Sequence, residues 1–177
     1  MPTESRAPIA LIGYRGVGKS AVAGLLAQRL GYEAVDSDQR IEEQAGKTIA
    51  EIFAEQGESS FRDQEAAVVQ TLCSRPAVVL ALGGGAVLRP ANPLALANCR
   101  AVVWLTASVD VLCQRIGADQ ATASRRPNRT NAGGRSEIEA LLAERTPIYR
   151  QCATLVVDTE KKSPAEVAAE IADLLAP

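Results

Sequence analysis

The stretch GYRGVGKS, Gly13 to Ser20, places a lysine and a hydroxyl directly after a glycine-rich turn. It fits the pattern G-x-x-x-x-G-K-[S/T], and the chemistry of that pattern is phosphate binding. Backbone N–H groups of such a turn converge on phosphate oxygens, and the helix that follows points its positive end at them. Gly16 and Gly18 allow backbone angles that a side chain would obstruct. Lys19 is then expected to reach the β- and γ-phosphates, and the Ser20 hydroxyl to ligate Mg²⁺. A glycine-rich turn with an ordinary surface lysine is the plainer description. It is disfavoured by the apolar run IALI before the loop and the helical pattern after it. No guanine-reading N-K-x-D occurs, which weakens a GTPase reading and leaves the base open.

A phosphate donor needs an acceptor, and the residues VDSD supply candidates. They end a second strand, where side chains of open α/β sheets line the ligand crevice. One of Asp36 and Asp38 can support a Mg²⁺ shell, and the other can accept a proton or hydrogen bonds from a hydroxyl. A solvated turn with Ser37 and Asp38 as helix caps explains the same residues equally well. Arg62 and Arg145 stand in helical patterns, with Glu65 placed to hold Arg62 from the same face. Taken alone, each is more ordinary as a solvated surface charge. LGGGAV lets backbone approach a ligand at Gly83, Gly84 and Gly85, or is simply a flexible turn. The polar segment Gly117–Gly134 carries Arg125, Arg126 and Arg129 against the single acid Asp119. That composition suits a lid closing over phosphates and excluding water, with a disordered insertion as the alternative.

These residues must be held by a scaffold. The apolar runs Ile9–Gly13, Glu33–Asp36, AVVLALGGG, Ala101–Thr106 and Ala153–Asp158 alternate with helical patterns. Strands alternating with helices imply a parallel sheet covered on both faces, so a three-layer α/β/α fold with five parallel strands is expected. Stop and start signals are plentiful. Helices are expected to end at Gly31, Gly46 and Gly57, and to begin at Ser37, at Thr48 with Glu51 as a capping box, and at Ser163 with Pro164.

The chain has 177 residues and no obvious linker, and a single domain is expected, with its acceptor region at about 36–65 and its lid at about 117–134. Hydrophobic residues make up 47% and charged residues 23%, the profile of a soluble globular protein. A net charge of −2 gives no sign of a general nucleic-acid partner. The longest apolar stretch, Ala77–Leu88, is too short to span a bilayer, and the amino end does not read as a signal peptide. Cys73, Cys99, Cys113 and Cys152 form no CxxC pair and read as buried reduced thiols of a cytoplasmic protein. There is no histidine, which excludes Ser-His-Asp and Cys-His machinery and leaves carboxylates, lysine, tyrosine, water or the substrate as proton acceptors.

Taken together, GYRGVGKS, DSD, FRDQE, LGGGAV, RRP, ERTPIYR and VVDTEKKSP closely resemble the motifs of the shikimate kinase family, in order and spacing, from about Ile9 to Pro164. The resemblance implies a P-loop kinase fold like that of nucleoside monophosphate kinases, with strand order 2-3-1-4-5. It implies ATP-dependent phosphorylation of the 3-hydroxyl of shikimate, with ATP as co-substrate and one Mg²⁺. Carried over, Asp38, Arg62, Gly83, Gly84, Gly85 and Arg145 would bind shikimate, with Lys19, Asp38 and Arg126 catalytic. Gly16, Val17, Gly18, Lys19, Ser20 and Ala21 would hold the phosphates, and Ser20 and Asp36 the metal. Arg126 would reach the phosphates from the lid, while Arg115, Lys162 and Pro164 would border the adenine. Its partners would be ATP and shikimate, with no nucleic acid or membrane, and a monomer is expected. One departure is RRPN, where the family continues its lid arginine as Arg-Pro-Leu. Rival readings are a kinase of another small hydroxy acid such as gluconate, a nucleoside monophosphate kinase, and a nucleotide-dependent switch that phosphorylates no metabolite.

Overall fold

The expected apolar runs form β1 (Ile9–Ile12), β2 (Glu33–Asp36), β3 (Val78–Ala81), β4 (Ala101–Thr106) and β5 (Leu155–Asp158). The computed structural model describes residues 6–119 and 134–176. Its strands make one all-parallel sheet in the order β2-β3-β1-β4-β5. Register is set centrally by β1, where Ile9 pairs with Val79 on one side and Ala101 on the other.

The sheet is buried on both faces, which explains why its central strands are unbroken apolar runs. Ile9 and Leu11 pack on one side with Val22 and Leu26 of α1 (Lys19–Leu30) and with Val167 and Ile171 of α7 (Pro164–Leu174). Ala10 and Ile12 face the other side, toward Ile52, Val69 and Leu72 of α3 (Ile49–Cys73). Each fully buried aliphatic side chain of this kind contributes about 1.5–3 kcal/mol.

Two helix boundaries repay a closer look. α2 (Ser37–Ala45) is not capped by Ser37; its cap is Asp36, whose Oδ1 accepts from the N–H groups of Asp38 at 2.9 Å and Gln39 at 3.2 Å. Ser37 is instead fully buried, and its hydroxyl accepts from the Gly83 N–H at 3.0 Å. The helix expected to end at Gly57 does so: within the span of α3, Gly57 has a non-helical backbone at φ 80° and ψ 171°, and a second helical segment follows. That left-handed backbone is open to glycine and costly for other residues. The capping box of Thr48 and Glu51 starts this run as expected. Thr48→Ala should therefore lower unfolding stability by about 1 kcal/mol, read from the urea midpoint, while leaving activity intact.

The short α4 (Ala91–Leu96) was not apparent from the sequence, because six residues starting after Pro90 carry no capping side chain. α5 (Val109–Ala118) runs past Gly117, so the basic segment begins later than its composition suggested. α6 (Arg135–Cys152) follows that segment and leads into β5. Of the cysteines only Cys73 is buried; Cys99, Cys113 and Cys152 are half-buried, and all four are free thiols. The Cys99 thiol donates to Cys73 at 3.8 Å, which holds the Cys73 thiol below its ordinary pKa and pushes that of Cys99 up. Among the described residues no helix is long and apolar enough to cross a membrane.

Candidate active site

Parallel strands put their carboxyl ends on one edge, and the order β2-β3-β1 makes three loops neighbours there. These are the phosphate loop after β1, the Asp36–Asp38 segment after β2 and the glycine turn after β3. A cleft of about 440 Å³ lies between them. It brings together Gly16, Gly18, Lys19, Ser20, Ala21, Asp36, Asp38, Gly83, Gly84 and Arg115, all named from sequence.

The loop has the required backbone, with φ of 82° at Gly16 and 99° at Gly18. No side chain caps α1, so the N–H groups of its first turn remain available to an anion. The Lys19 ammonium is tethered at the loop by the carbonyls of Gly13 at 2.7 Å and Tyr14 at 2.9 Å. Ser20 Oγ donates to Asp36 Oδ2 at 2.5 Å, so a hydroxyl and a carboxylate from two elements meet at the cleft. Asp36 thus has two tasks, one oxygen capping α2 and the other holding Ser20.

Arg62, Arg145 and Gly85 do not line this cleft but sit directly beside it. Both arginines are buried, at 8% and 6% exposure, which removes the solvated-charge description. Arg62 donates to Glu65 at 2.7 Å, lies 3.6 Å from Glu58 and stacks on Phe61. Glu65 itself is fully buried, so this pair is mutually compensating. Arg145 lies over the Tyr14 ring, 5.8 Å from its centroid. Its Nε is buried with no hydrogen-bond partner among the described residues, a donor whose desolvation is left uncompensated. The guanidinium groups converge on adjacent glycines. A Cβ added at Gly84 would lie 3.4 Å from Arg145, and one added at Gly85 would lie 2.5 Å from Arg62.

A second cleft of about 210 Å³ adjoins the first, sharing Gly18 and Arg115 with it. It brings Lys162 and Pro164, two of the three residues expected to border the adenine, together with Val17 of the phosphate loop. Arg115 is fixed there by donating to Thr159 Oγ1 and to the Thr159 carbonyl, each at 3.0 Å. Lys162 pairs with Glu170 at 2.5 Å. Arg125, Arg126 and Arg129 lie outside the described residues.

Several contributors were missed. Arg15 lines the main cleft, and its basic side chain inside the loop motif was the available signal. Thr159 anchors Arg115 and was hidden among the polar residues after β5. Tyr14 is buried beneath Arg145; burial raises its hydroxyl pKa, and the charges of Arg15 and Arg145 oppose that rise.

Known proteins match this chain over nearly its whole length. The family profile described as shikimate kinase matches residues 15–176. The shikimate kinase of Rhodopirellula baltica is 46% identical over 161 residues, 91% of this chain and 86% of that protein. The solved structure of shikimate kinase from Acinetobacter baumannii in complex with shikimate superposes with a TM-score of 0.90 at 35% identity, covering 97% of this chain and 94% of that one. A gluconokinase from Sinorhizobium meliloti reaches a TM-score of 0.56 at 19% identity, over 96% of this chain and 91% of that one, a likeness of fold alone. With its phosphate loop, acidic pair, buried arginines and glycine turn in place, the chain belongs to the shikimate kinase family.

Proposed function

We infer that this chain transfers the γ-phosphoryl group of ATP to the 3-hydroxyl of shikimate, giving shikimate 3-phosphate and ADP. The observation that carries this reading is the junction of an NTP-type phosphate loop with an acceptor-side cluster in one cleft: Asp38 on its wall and the unmet Nε of Arg145 beside it. Family membership supports the choice of shikimate over gluconate.

The residues divide the work. The amides of Gly16 to Ala21 and the end of α1 hold the ATP phosphates, and Lys19 supplies positive charge where the phosphoryl group moves. Val17, Arg115, Lys162 and Pro164 border the base. Arg62 and Arg145 pair with the shikimate carboxylate, and the Gly83–Gly85 backbone lies against the ring. Asp38 accepts from the acceptor hydroxyl and orients it for attack. Arg126, outside the described residues, supplies further positive charge to the phosphates.

The oxygen donors Ser20 and Asp36 suit a hard divalent cation and would hold Mg²⁺. Bound there, Mg²⁺ would neutralise charge on the β- and γ-phosphate oxygens. We propose that the protein works in the cytoplasm as a single-domain monomer.

A coupled assay of ADP release tests the reading directly. Release should depend on shikimate and not on gluconate or AMP; release indifferent to shikimate would sink it. The acceptor side has its own test. Arg62→Ala and Arg145→Ala should each weaken shikimate binding on the order of 10–100-fold in calorimetry, with ATP binding little changed. A loss confined to ATP would move these arginines out of the acceptor pocket.

A further inference from the structure

The glycine turn after β3 is anchored from two sides by residues with no role so far assigned in catalysis. On one side the buried Ser37 hydroxyl accepts from the Gly83 N–H at 3.0 Å. On the other, the hydroxyl of Tyr149 donates to the carbonyl of Gly84. Tyr149 is fully buried and its ring lies 5.9 Å from that of Trp104, so its direction is set by packing. It stands on α6 one turn beyond Arg145, so one helix carries the arginine beside Gly84 and the hydroxyl that holds Gly84.

The amides of this turn are unusual. Gly84 and Gly85 are both buried, yet neither N–H donates a hydrogen bond among the described residues. Buried backbone donors are nearly always paired, so these two are left available to a ligand's oxygens. A peptide unit is planar, with its N–H directed opposite to its C=O. Holding the Gly84 carbonyl therefore sets the direction of the Gly85 N–H, away from Tyr149.

We infer that Tyr149 is a positioning residue of the acceptor pocket, whose hydroxyl fixes the Gly84–Gly85 peptide so that its N–H is offered to the oxygens of a small hydroxy acid. This rests on the acceptor-site reading above. Tyr149 acts through the backbone and touches no reacting atom. It also links two recognition elements: any shift of α6 that moves Arg145 drags the glycine turn with it, so carboxylate and amide contacts form together.

The test is Tyr149→Phe in the full chain, which keeps the ring against Trp104 and removes only the hydroxyl. The KM and calorimetric Kd for shikimate should rise roughly three- to tenfold, while the KM for ATP stays unchanged and kcat at saturating shikimate moves less than KM. A merely structural tyrosine would lower the melting temperature without this split. Ser37→Ala removes the opposite anchor of the same turn and should produce the same split; it decides the matter if Tyr149→Phe does not fold. Unchanged shikimate affinity in a folded variant overturns the inference. Arg145→Lys, measured in parallel, shows how much falls with it. If Arg145→Lys loses shikimate affinity and Tyr149→Phe does not, only the positioning role is wrong. If neither loses it, the acceptor site itself has been misplaced.

Discussion

Lys19→Met should cut turnover by roughly 10²–10³-fold while the protein stays folded. The ammonium is placed for this by the loop, where the carbonyls of Gly13 and Tyr14 fix it beside the start of α1. Methionine keeps the length and loses the charge, so no group at that position can offset the negative charge spread over the phosphoryl oxygens. It also takes the ammonium from both carbonyls, though Tyr14 keeps the Val17 N–H at 3.3 Å. The assay must therefore be accompanied by circular dichroism and by shikimate calorimetry. Intact secondary structure, retained shikimate affinity and collapsed turnover are the expected pattern. Near-normal turnover from folded protein would reject the assignment of the loop to phosphoryl transfer.

Asp38→Asn is expected to lower kcat by about 10²–10⁴-fold, the usual contribution of a positioned proton acceptor, with far less effect on ATP affinity. The structure sharpens this test. Were Asp38 the cap of α2, asparagine would replace it at little cost, and activity would survive. The cap is Asp36, and Asp38 contributes its backbone N–H to that cap rather than its carboxylate. The side chain lines the cleft, so the substitution tests its carboxylate there and not the α2 cap. With no histidine in the chain, no imidazole can take over the proton. Wild-type-like turnover would end the proton-acceptor role.

Much of the scaffold was legible because its signals are local. Central strands buried on both faces must be unbroken apolar runs, and IALI and VVLA are such runs. The Thr48 and Ser163 capping boxes are written in residues three apart. Strand order is not local, and only the family resemblance supplied it. At the site, the loop was readable because the pattern and its function are one thing. The arginines were reached only through the family motifs FRDQE and ERTPIYR, since taken alone Arg62 and Arg145 look like any helical surface charge until packing shows them buried against Glu65 and Tyr14. Asp36 and Ser37 are both good caps and adjacent, so sequence could not choose between them. The choice depends on Gly83, brought close by a pairing 46 residues away. Tyr149 reads as a core aromatic, and nothing in its neighbours reveals the carbonyl it meets.

The break at Gly57 has a mechanical meaning. A helix transmits rotation only through its continuous ladder of hydrogen bonds, and a residue at φ 80° and ψ 171° interrupts that ladder. α3 is therefore two levers on one joint. The first, from Ile49, presents that residue to the cleft wall; the second carries Arg62, locked to Glu65 within its own span. The placing of Ile49 on the cleft wall is therefore not fixed by the helical hydrogen bonds that carry Arg62. Substitutions between Ile49 and Gly57 should accordingly alter the cleft wall without breaking the Arg62–Glu65 pair.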